Sequence, residues 1–471
     1  MIELKYRELL EIVKGKPFPD VPSEDFLTRG VSIDSRDIVP QNLFIAIKGD
    51  RFNGHDFMEE AVAKGSSCVV LSKSRVSEKL NYLFSSTKGI RAILVDDTRT
   101  ALQEIAKWYR DKFKLKVIGV TGTNGKTTTK EMIALVLSKR YKVLRSEKSY
   151  NNQIGVPLTL LRLTTETEVL VLELGMNQPG EIGILTKIVE PDLGLITNIG
   201  PAHLEYMISL EKISQAKFEL MENMNEKGLI VLNADDPYLS ERAKKEKKKV
   251  YTYGIEKQAD FVADKVMQNG NGFLSFLVNG EIPINLKLLG KHNVYNALAA
   301  FSVGSILGVE KEKIKEALES YSPFEFRMEP TTINGIKIIN DSYNANPLSM
   351  ENALETLRSM KSKSRKIAIL GDMLELGEKS IEFHEKVGEK VRQSGVDYLF
   401  TYGELSLHIA QGAKNNGLKK EYINSFDDKK ALLGYLLEFL KPGDLVLFKG
   451  SRKMRLEEIV EGLKKLYQAK N

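Results

Sequence analysis

The stretch VIGVTGTNGKTTTKEM, residues 117–132, constrains the fold more than any other part of the chain. An apolar run of strand type breaks at glycines, and Lys-Thr-Thr then opens a stretch with helical spacing. Strand, tight turn and helix in that order belong to a parallel sheet with helices over its faces, because consecutive parallel strands need a crossover connection. The same stretch is a phosphate loop with one glycine displaced. The strict pattern is G-x-x-x-x-G-K-[ST], yet Val120 stands where its first glycine falls, and the glycines present are Gly119 and Gly122. What phosphate requires is inward-facing backbone N–H groups, a helix N-terminus, one cation and one hydroxyl for a metal. Gly122, Thr123, Asn124 and Gly125 supply the backbone, Lys126 the cation for the β- and γ-phosphates, and Thr127 the hydroxyl for Mg²⁺, with Thr128 behind it. The alternative is a Gly-rich strand-to-helix turn; the G-K-T-T core in this context favours nucleotide.

The alternation repeats along the chain. NLFIAIKG (42–49), SCVVLS (67–72) and RAILVDD (91–97) read as strands of a first unit, with helical spacing in HDFMEEAVAKG and TALQEIAKWYRDKF. A second unit begins at KVIGVTG and continues with EVLVLELG (168–175), DLGLITNIG (192–200) and GLIVLNADD (228–236). A third holds IKIINDS, RKIAILGD, DYLFTYGE and GDLVLFKGS, strands that end in Gly, Asp or Ser. At 471 residues the chain exceeds one ordinary core and is expected to form about three domains. The boundaries expected are 1–111, 112–328 and 329–471. The fold class is α/β throughout: a small N-terminal domain, a central P-loop parallel-sheet domain, and a C-terminal Rossmann-like domain. RDKFKLK is expected to link the first two, and FRMEPTTINGIK (326–337) to be a hinge. MIELKYRELLEIVKG reads as a short amphipathic helix.

Composition excludes several classes. Net charge is +6 with both signs interspersed, and no basic stripe with interleaved aromatics suggests nucleic acid. KKEKKK (244–249) reads as a solvated helix end. The one cysteine, Cys68, rules out an internal disulfide or a Cys-based zinc site and is expected to be a buried strand residue. No apolar run reaches the roughly 18 residues of a membrane span. A cytoplasmic protein without membrane or nucleic-acid partners, and a monomer, is expected.

Other candidate residues are ambiguous alone. Glu173 closes an apolar strand where a metal-binding acid of a P-loop protein sits, but is equally a solvated cap. His203, in NIGPAHLE, is a metal ligand or a loop cap. Lys217, in SLEKISQAKFELME, reads as a solvated helix lysine, and Asn293 and Asn296 as helix-start caps.

Taken together, GKTTTKEM, NNQIGVPLTLL (151–161), LELGMNQPGEI (172–182), AHLE (202–205), GKHNVYNALAA (290–300), NDSYNANP (340–347) and GDMLELG (371–377) resemble the Mur ligase family, ATP-dependent amide-forming enzymes of peptidoglycan synthesis. The resemblance covers essentially the whole chain, and the loop form G-x-x-G-K-T-T is that family's own variant. It implies ATP as cofactor and the following site assignments. Lys126 serves the γ-phosphoryl, Thr127 and Glu173 hold Mg²⁺, and His203 and Lys217 serve a second Mg²⁺, Lys217 as a carbamate formed with CO₂. Lys126, His203 and Lys217 are the implied catalytic set. Asn293 and Asn296 are implied near adenine, Arg327 and Asp341 near the phosphates and ribose, and Tyr343, Asn344 and Asn346 near D-Ala-D-Ala. Asn151 and Asn152 would face the muramoyl peptide, and Ser35, Arg36, Asn53, Gly54 and His55 the uridine diphosphate. DSYNANP with GDMLELG implies UDP-MurNAc-tripeptide and D-Ala-D-Ala as substrates. Another ligase of the superfamily, of the folylpolyglutamate type, or a regulatory P-loop ATPase are the alternatives.

Overall fold

The computed structural model describes residues 2–19, 25–49, 52–87, 90–147, 150–360 and 365–470. Three large sheets, one per domain, organise it, and a two-stranded sheet lies in the first domain besides. In the first domain the strands Arg91–Val95, Cys68–Ser72, Leu43–Ile45 and Val31–Ser32 lie side by side in parallel, with Lys16–Phe18 added antiparallel at one edge. Cys68 is buried in its strand. The N-terminal segment differs from the helix expected: Glu3–Lys5 is a strand paired with Leu27–Arg29, and the helix Tyr6–Ile12 starts only after it. Leu4 points into the core while Glu3 and Lys5 face out, a period of two that the helical reading overlooked. The helix Thr98–Arg110, capped by the Asp97 carboxylate on the Arg99 and Thr100 N–H groups, runs to the central domain.

The central sheet has nine strands. Val143–Arg145, Val169–Glu173, Lys116–Thr121, Leu193–Ile196, Leu229–Asn233 and Val250–Gly254 are parallel in that spatial order. Their apolar runs are nearly continuous because both faces are covered. Val117, Leu170 and Leu172 pack with the helices Glu181–Val189 and Leu210–Glu222. Ile118, Val120 and Val171 pack on the opposite face with Lys126–Leu137 and His292–Ile306. Beyond Val250–Gly254 the sheet continues through Phe261–Gln268, Phe273–Val278 and Ile282–Leu289, the last two pairings being antiparallel. The helix Pro237–Lys245 ends inside the KKEKKK run, as a solvated terminus should.

The third sheet runs Glu329–Ile333, Ile336–Asn340, Leu445–Lys449, Lys366–Gly371, Tyr398–Tyr402 and Ile423–Phe426, parallel except for its first strand. The hinge expected over 326–337 is therefore mostly sheet. Glu329–Ile333 and Ile336–Asn340 form a hairpin about Asn334 and Gly335, both at positive φ (48° and 73°), which is what a two-residue turn between twisted strands demands. Among the described residues no helix is long and apolar enough to cross a membrane.

Candidate active site

The C-terminal end of Lys116–Thr121 points into a cleft of about 1130 Å³ lined by all three domains. Its neighbours Val169–Glu173 and Leu193–Ile196 are reached by chain segments leaving in opposite directions, so the loop after Thr121 lies at the sheet's switch point, where open α/β sheets bind ligands. The loop needs glycine for two reasons. A Cβ on Gly122 (φ 141°) would stand 1.9 Å from Thr197 Oγ1, and one on Gly125 (φ 82°) 2.4 Å from Asn296 Oδ1. Those walls hold the loop tightly: Thr123 N donates to Asn198 O and Asn124 N to Asn198 Oδ1, while Thr129 Oγ1 donates to Asn296 Oδ1. Val120, at the displaced position, is simply a buried strand residue.

The charged groups converge at the start of the helix. Thr127 Oγ1 donates to Glu173 Oε2 at 2.7 Å, and Asn151 Nδ2 donates to Glu173 Oε1 at 2.8 Å. Glu173 is buried, not a solvated cap. Lys126 Nζ folds back onto the Gly122 and Thr123 carbonyls at 3.0 Å each. Burial pulls its pKa below that of an ordinary lysine, with Glu173 opposing and Arg327 reinforcing the shift.

Lys217 overturns the reading of a solvated lysine. It is 4% exposed and its Nζ donates to Gly122 O at 2.9 Å. The reason is its place on the helix: Ile213, Ala216, Leu220 and Met221 share its buried face. Burial, then the Lys126 charge, hold its pKa well below the usual lysine range.

The third domain reaches the same loop. Arg327 Nη2 donates to Thr127 Oγ1 at 3.0 Å, and its guanidinium stacks on Tyr343 with 3.9 Å to the ring centroid. Asp341 accepts from Lys449 Nζ at 2.6 Å and from Met328 N at 3.0 Å. Asn346 caps the helix Pro347–Ser359 and pairs with Asn124: Asn124 Nδ2 donates to Asn346 Oδ1 (3.1 Å) and Asn346 Nδ2 to Asn124 Oδ1 (2.8 Å). His203 Nδ1 lies 2.7 Å from Glu375 Oε2, in the GDMLELG segment. That leaves Nε2 as the nitrogen available for a metal or a proton.

Other expected residues have mainly local partners. Asn293 Nδ2 donates to Leu289 O and Asn296 Nδ2 to Asn293 Oδ1; both line the cleft beside Asp235 and Tyr295. Asn152 Oδ1 accepts from the Ile154 and Gly155 N–H groups. Asn344 Oδ1 accepts from Arg452 N, and its carbonyl from Lys449 Nζ. In the first domain Ser35 Oγ donates to Glu60, and Arg36 pairs with Asp34. Ser72 N donates to His55 Nε2, so His55 Nδ1 carries the proton given to Asn53 Oδ1. None of Ser35, Arg36, Asn53 and His55 lines the cleft; Lys48 and Arg99 represent their domain there. Sequence reasoning also missed Lys449, Arg452 and Lys453 in the cleft lining. Their signal was FKGSRKMR, one cation closing a strand that ends in the site and three soon after it.

Family models match along the whole chain in this order: "Mur ligase family, catalytic domain" over residues 28–110, "Mur ligase middle domain" over 120–304, and "Mur ligase, glutamate ligase domain" over 326–452. The chain is 39% identical over 465 residues to the UDP-N-acetylmuramoyl-tripeptide–D-alanyl-D-alanine ligase of Bacillus subtilis, covering 98% of this chain and 99% of that protein. The Escherichia coli protein of the same name is 33% identical over 470 residues, with 98% and 99% covered. A solved MurF of Acinetobacter baumannii superposes with a TM-score of 0.88 at 29% identity over 99% of both chains. A MurF ligase of Thermotoga maritima in complex with ADP gives 0.82 at 28% identity over 94% of this chain and 99% of that one. With this loop, this cleft and these matches, the chain belongs to the Mur ligase family.

Proposed function

We propose that this protein is a cytoplasmic ATP-dependent ligase that joins UDP-MurNAc-tripeptide to D-Ala-D-Ala, giving UDP-MurNAc-pentapeptide, ADP and phosphate. The observation that carries the reading is the meeting of two domains at one phosphate loop, Asn346 on Asn124, with Arg327 of the segment leading into the third domain on Thr127. Relatives bearing that ligase name over almost their full length support it.

A carboxylate resists an amine because oxide is a poor leaving group. If a carboxylate oxygen takes the γ-phosphoryl and ADP leaves, the acyl group acquires phosphate as its leaving group. The amine then attacks the acyl carbon, phosphate departs and the amine gives up a proton. The protein's share is positioning and charge neutralisation. Thr127 Oγ1 and Glu173 Oε2 are hard oxygen donors 2.7 Å apart, a pair that suits Mg²⁺. When bound, Mg²⁺ neutralises charge on the phosphoryl oxygens. Lys126 exchanges two carbonyls for the phosphates, and Arg327 is near enough to follow. His203, oriented through Nδ1 by Glu375, has Nε2 left for the amine's proton or for a second cation. Lys217, a buried amine whose lowered pKa favours the neutral form that adds CO₂, would as a carbamate give that second cation an anionic ligand. Asn293 and Asn296 are assigned to adenine, Asp341 to the ribose, and Tyr343, Asn344 and Asn346 to the dipeptide. Lys48 and Arg99 suit the diphosphate of the acceptor.

The deciding assay is phosphate release with each substrate omitted in turn. A ligase releases phosphate only when ATP, the nucleotide tripeptide and D-Ala-D-Ala are all present, with one pentapeptide per phosphate. Release indifferent to both peptides would make the protein a P-loop ATPase instead.

A further inference from the structure

Lys130 has no part in the chemistry above, yet it is completely buried one turn beyond Lys126. A buried ammonium is retained at a substantial desolvation cost, which an aliphatic side chain of similar length avoids. Its partners show what the charge holds. Lys130 Nζ donates to Ser146 O at 2.6 Å and pairs with Glu131 Oε1 at 2.8 Å, and Glu131 Oε2 meets Arg145 Nε at 2.7 Å. Ser146 is itself fully buried, at the end of the strand next to the one bearing Glu173. Its N–H donates to Val171 O (3.1 Å), and its Oγ accepts from Glu173 N (3.3 Å). Five residues on, the same segment returns as Asn151, whose Nδ2 holds Glu173 Oε1. One helix thus reaches Glu173 at both ends, Thr127 at the carboxylate directly and Lys130 at the backbone N–H through Ser146.

We propose that Lys130 and Ser146 are a positioning pair that fixes the backbone pivot of Glu173, so that its carboxylate faces Thr127 in the geometry a nucleotide-bound Mg²⁺ needs. The inference rests on the Mg²⁺ assignment made for Thr127 and Glu173. Glu173 alone can turn about its own side-chain bonds. With its N–H tied to Ser146 Oγ and its two oxygens shared between Asn151 and Thr127, it has one orientation. Outer partners of this kind commonly change metal affinity tenfold or more.

The test separates metal from nucleotide. Binding of a non-hydrolysable ATP analogue is measured by calorimetry with Mg²⁺ and again in EDTA, for wild type, Lys130→Met and Ser146→Ala. Lys130→Met should weaken binding about tenfold with Mg²⁺ and leave binding in EDTA within about twofold. Ser146→Ala, which keeps the Lys130 acceptor and removes only the one for Glu173, should show the same selective loss. It also decides the matter if Lys130→Met does not fold. Equal losses with and without Mg²⁺ would make the pair merely structural, and no loss in either variant would overturn the proposal outright. A wild type indifferent to Mg²⁺ would sink the metal assignment as well, whereas a Mg²⁺-dependent wild type matched by both variants would sink this inference alone.

Discussion

The Asn124–Asn346 pair joins residues 222 positions apart, and truncating one of them measures what closing the third domain on the phosphate loop is worth. Asn124→Ala is the cleaner choice. It leaves Asn346 Oδ1 accepting from Ser349 N, so the helix Pro347–Ser359 keeps its cap. It also leaves the loop backbone in place, since Asn124 N still reaches Asn198 Oδ1 and Asn124 O still accepts from Thr197 Oγ1 at 2.6 Å. What disappears is two amide–amide hydrogen bonds between domains, each worth about 1 kcal/mol net, or roughly 2 together. When the domains part, water replaces both, so the loss falls on the closed form alone. Discounted for partial exposure, about 1.4 kcal/mol is a tenfold shift toward open. We expect kcat/KM for D-Ala-D-Ala to fall about tenfold while affinity for an ATP analogue changes less than about twofold. In a double-mutant cycle with Asn346→Ser, whose hydroxyl is a good helix cap but too short to reach Asn124, Asn124→Ala should be nearly silent, because both bonds of the pair are already gone. Equal losses of nucleotide affinity and of kcat/KM would show that the Asn124 amide serves nucleotide instead. Strictly additive effects would refute the interlock.

If Lys217 carries CO₂, native intact mass in bicarbonate exceeds the sequence mass by one CO₂, and Lys217→Ala abolishes the gain. The same variant should lose most activity and recover part of it with added short carboxylates; full activity in Lys217→Ala would end the idea. His292, half-buried in the cleft lining, has its pKa depressed to about 4, chiefly by burial, with Asp341 opposing and Lys449 reinforcing. Between about pH 6.5 and 4 the unfolded chain binds this proton and the folded one does not, so stability is intact above 6.5 and falls as pH drops, by at most roughly 3 kcal/mol. Denaturant midpoints against pH for wild type minus His292→Asn should show that difference in this window; parallel curves would refute it.

The longer parallel strands were legible because they are buried on both faces and end at Gly, Asp or Ser where they meet the cleft. The short or half-exposed ones were not: Val31–Ser32, Val143–Arg145, Val250–Gly254 and Ile423–Phe426, the last an edge strand with Asn and Ser at its centre. The antiparallel extension escaped notice although the stretch 282–288 alternates apolar with non-core residues and Asn279–Gly280 precedes it. Pro330 and Asn334–Gly335 suggested a hinge, yet Asn-Gly between β-type runs is a hairpin signal first. In the site, phosphate-loop residues follow from local spacing because one turn supplies them all. Lys217, Glu375 and Lys130 do not: each gains meaning only from a partner that tertiary packing delivers, and a buried lysine reads locally like any helical lysine.

That packing also favours the charged form of one of two neighbouring lysines over the other. Lys126 and Lys217 both donate to the carbonyl of Gly122, at 3.0 and 2.9 Å. Two buried ammonium ions on one oxygen repel strongly in a low-dielectric site, and the side chain with less compensation releases its proton. Lys126 has the Glu173 carboxylate to support its charge and a second carbonyl, that of Thr123, to satisfy its hydrogens. Lys217 has neither, and burial and its neighbour's charge both push it toward the neutral amine. The loop therefore sets a cation that a carboxylate supports next to an amine whose pKa is lowered further. Phosphate, in drawing Lys126 away from Gly122 O, would remove that repulsion as it gains its own counter-charge, a preorganised exchange that needs little rearrangement of water.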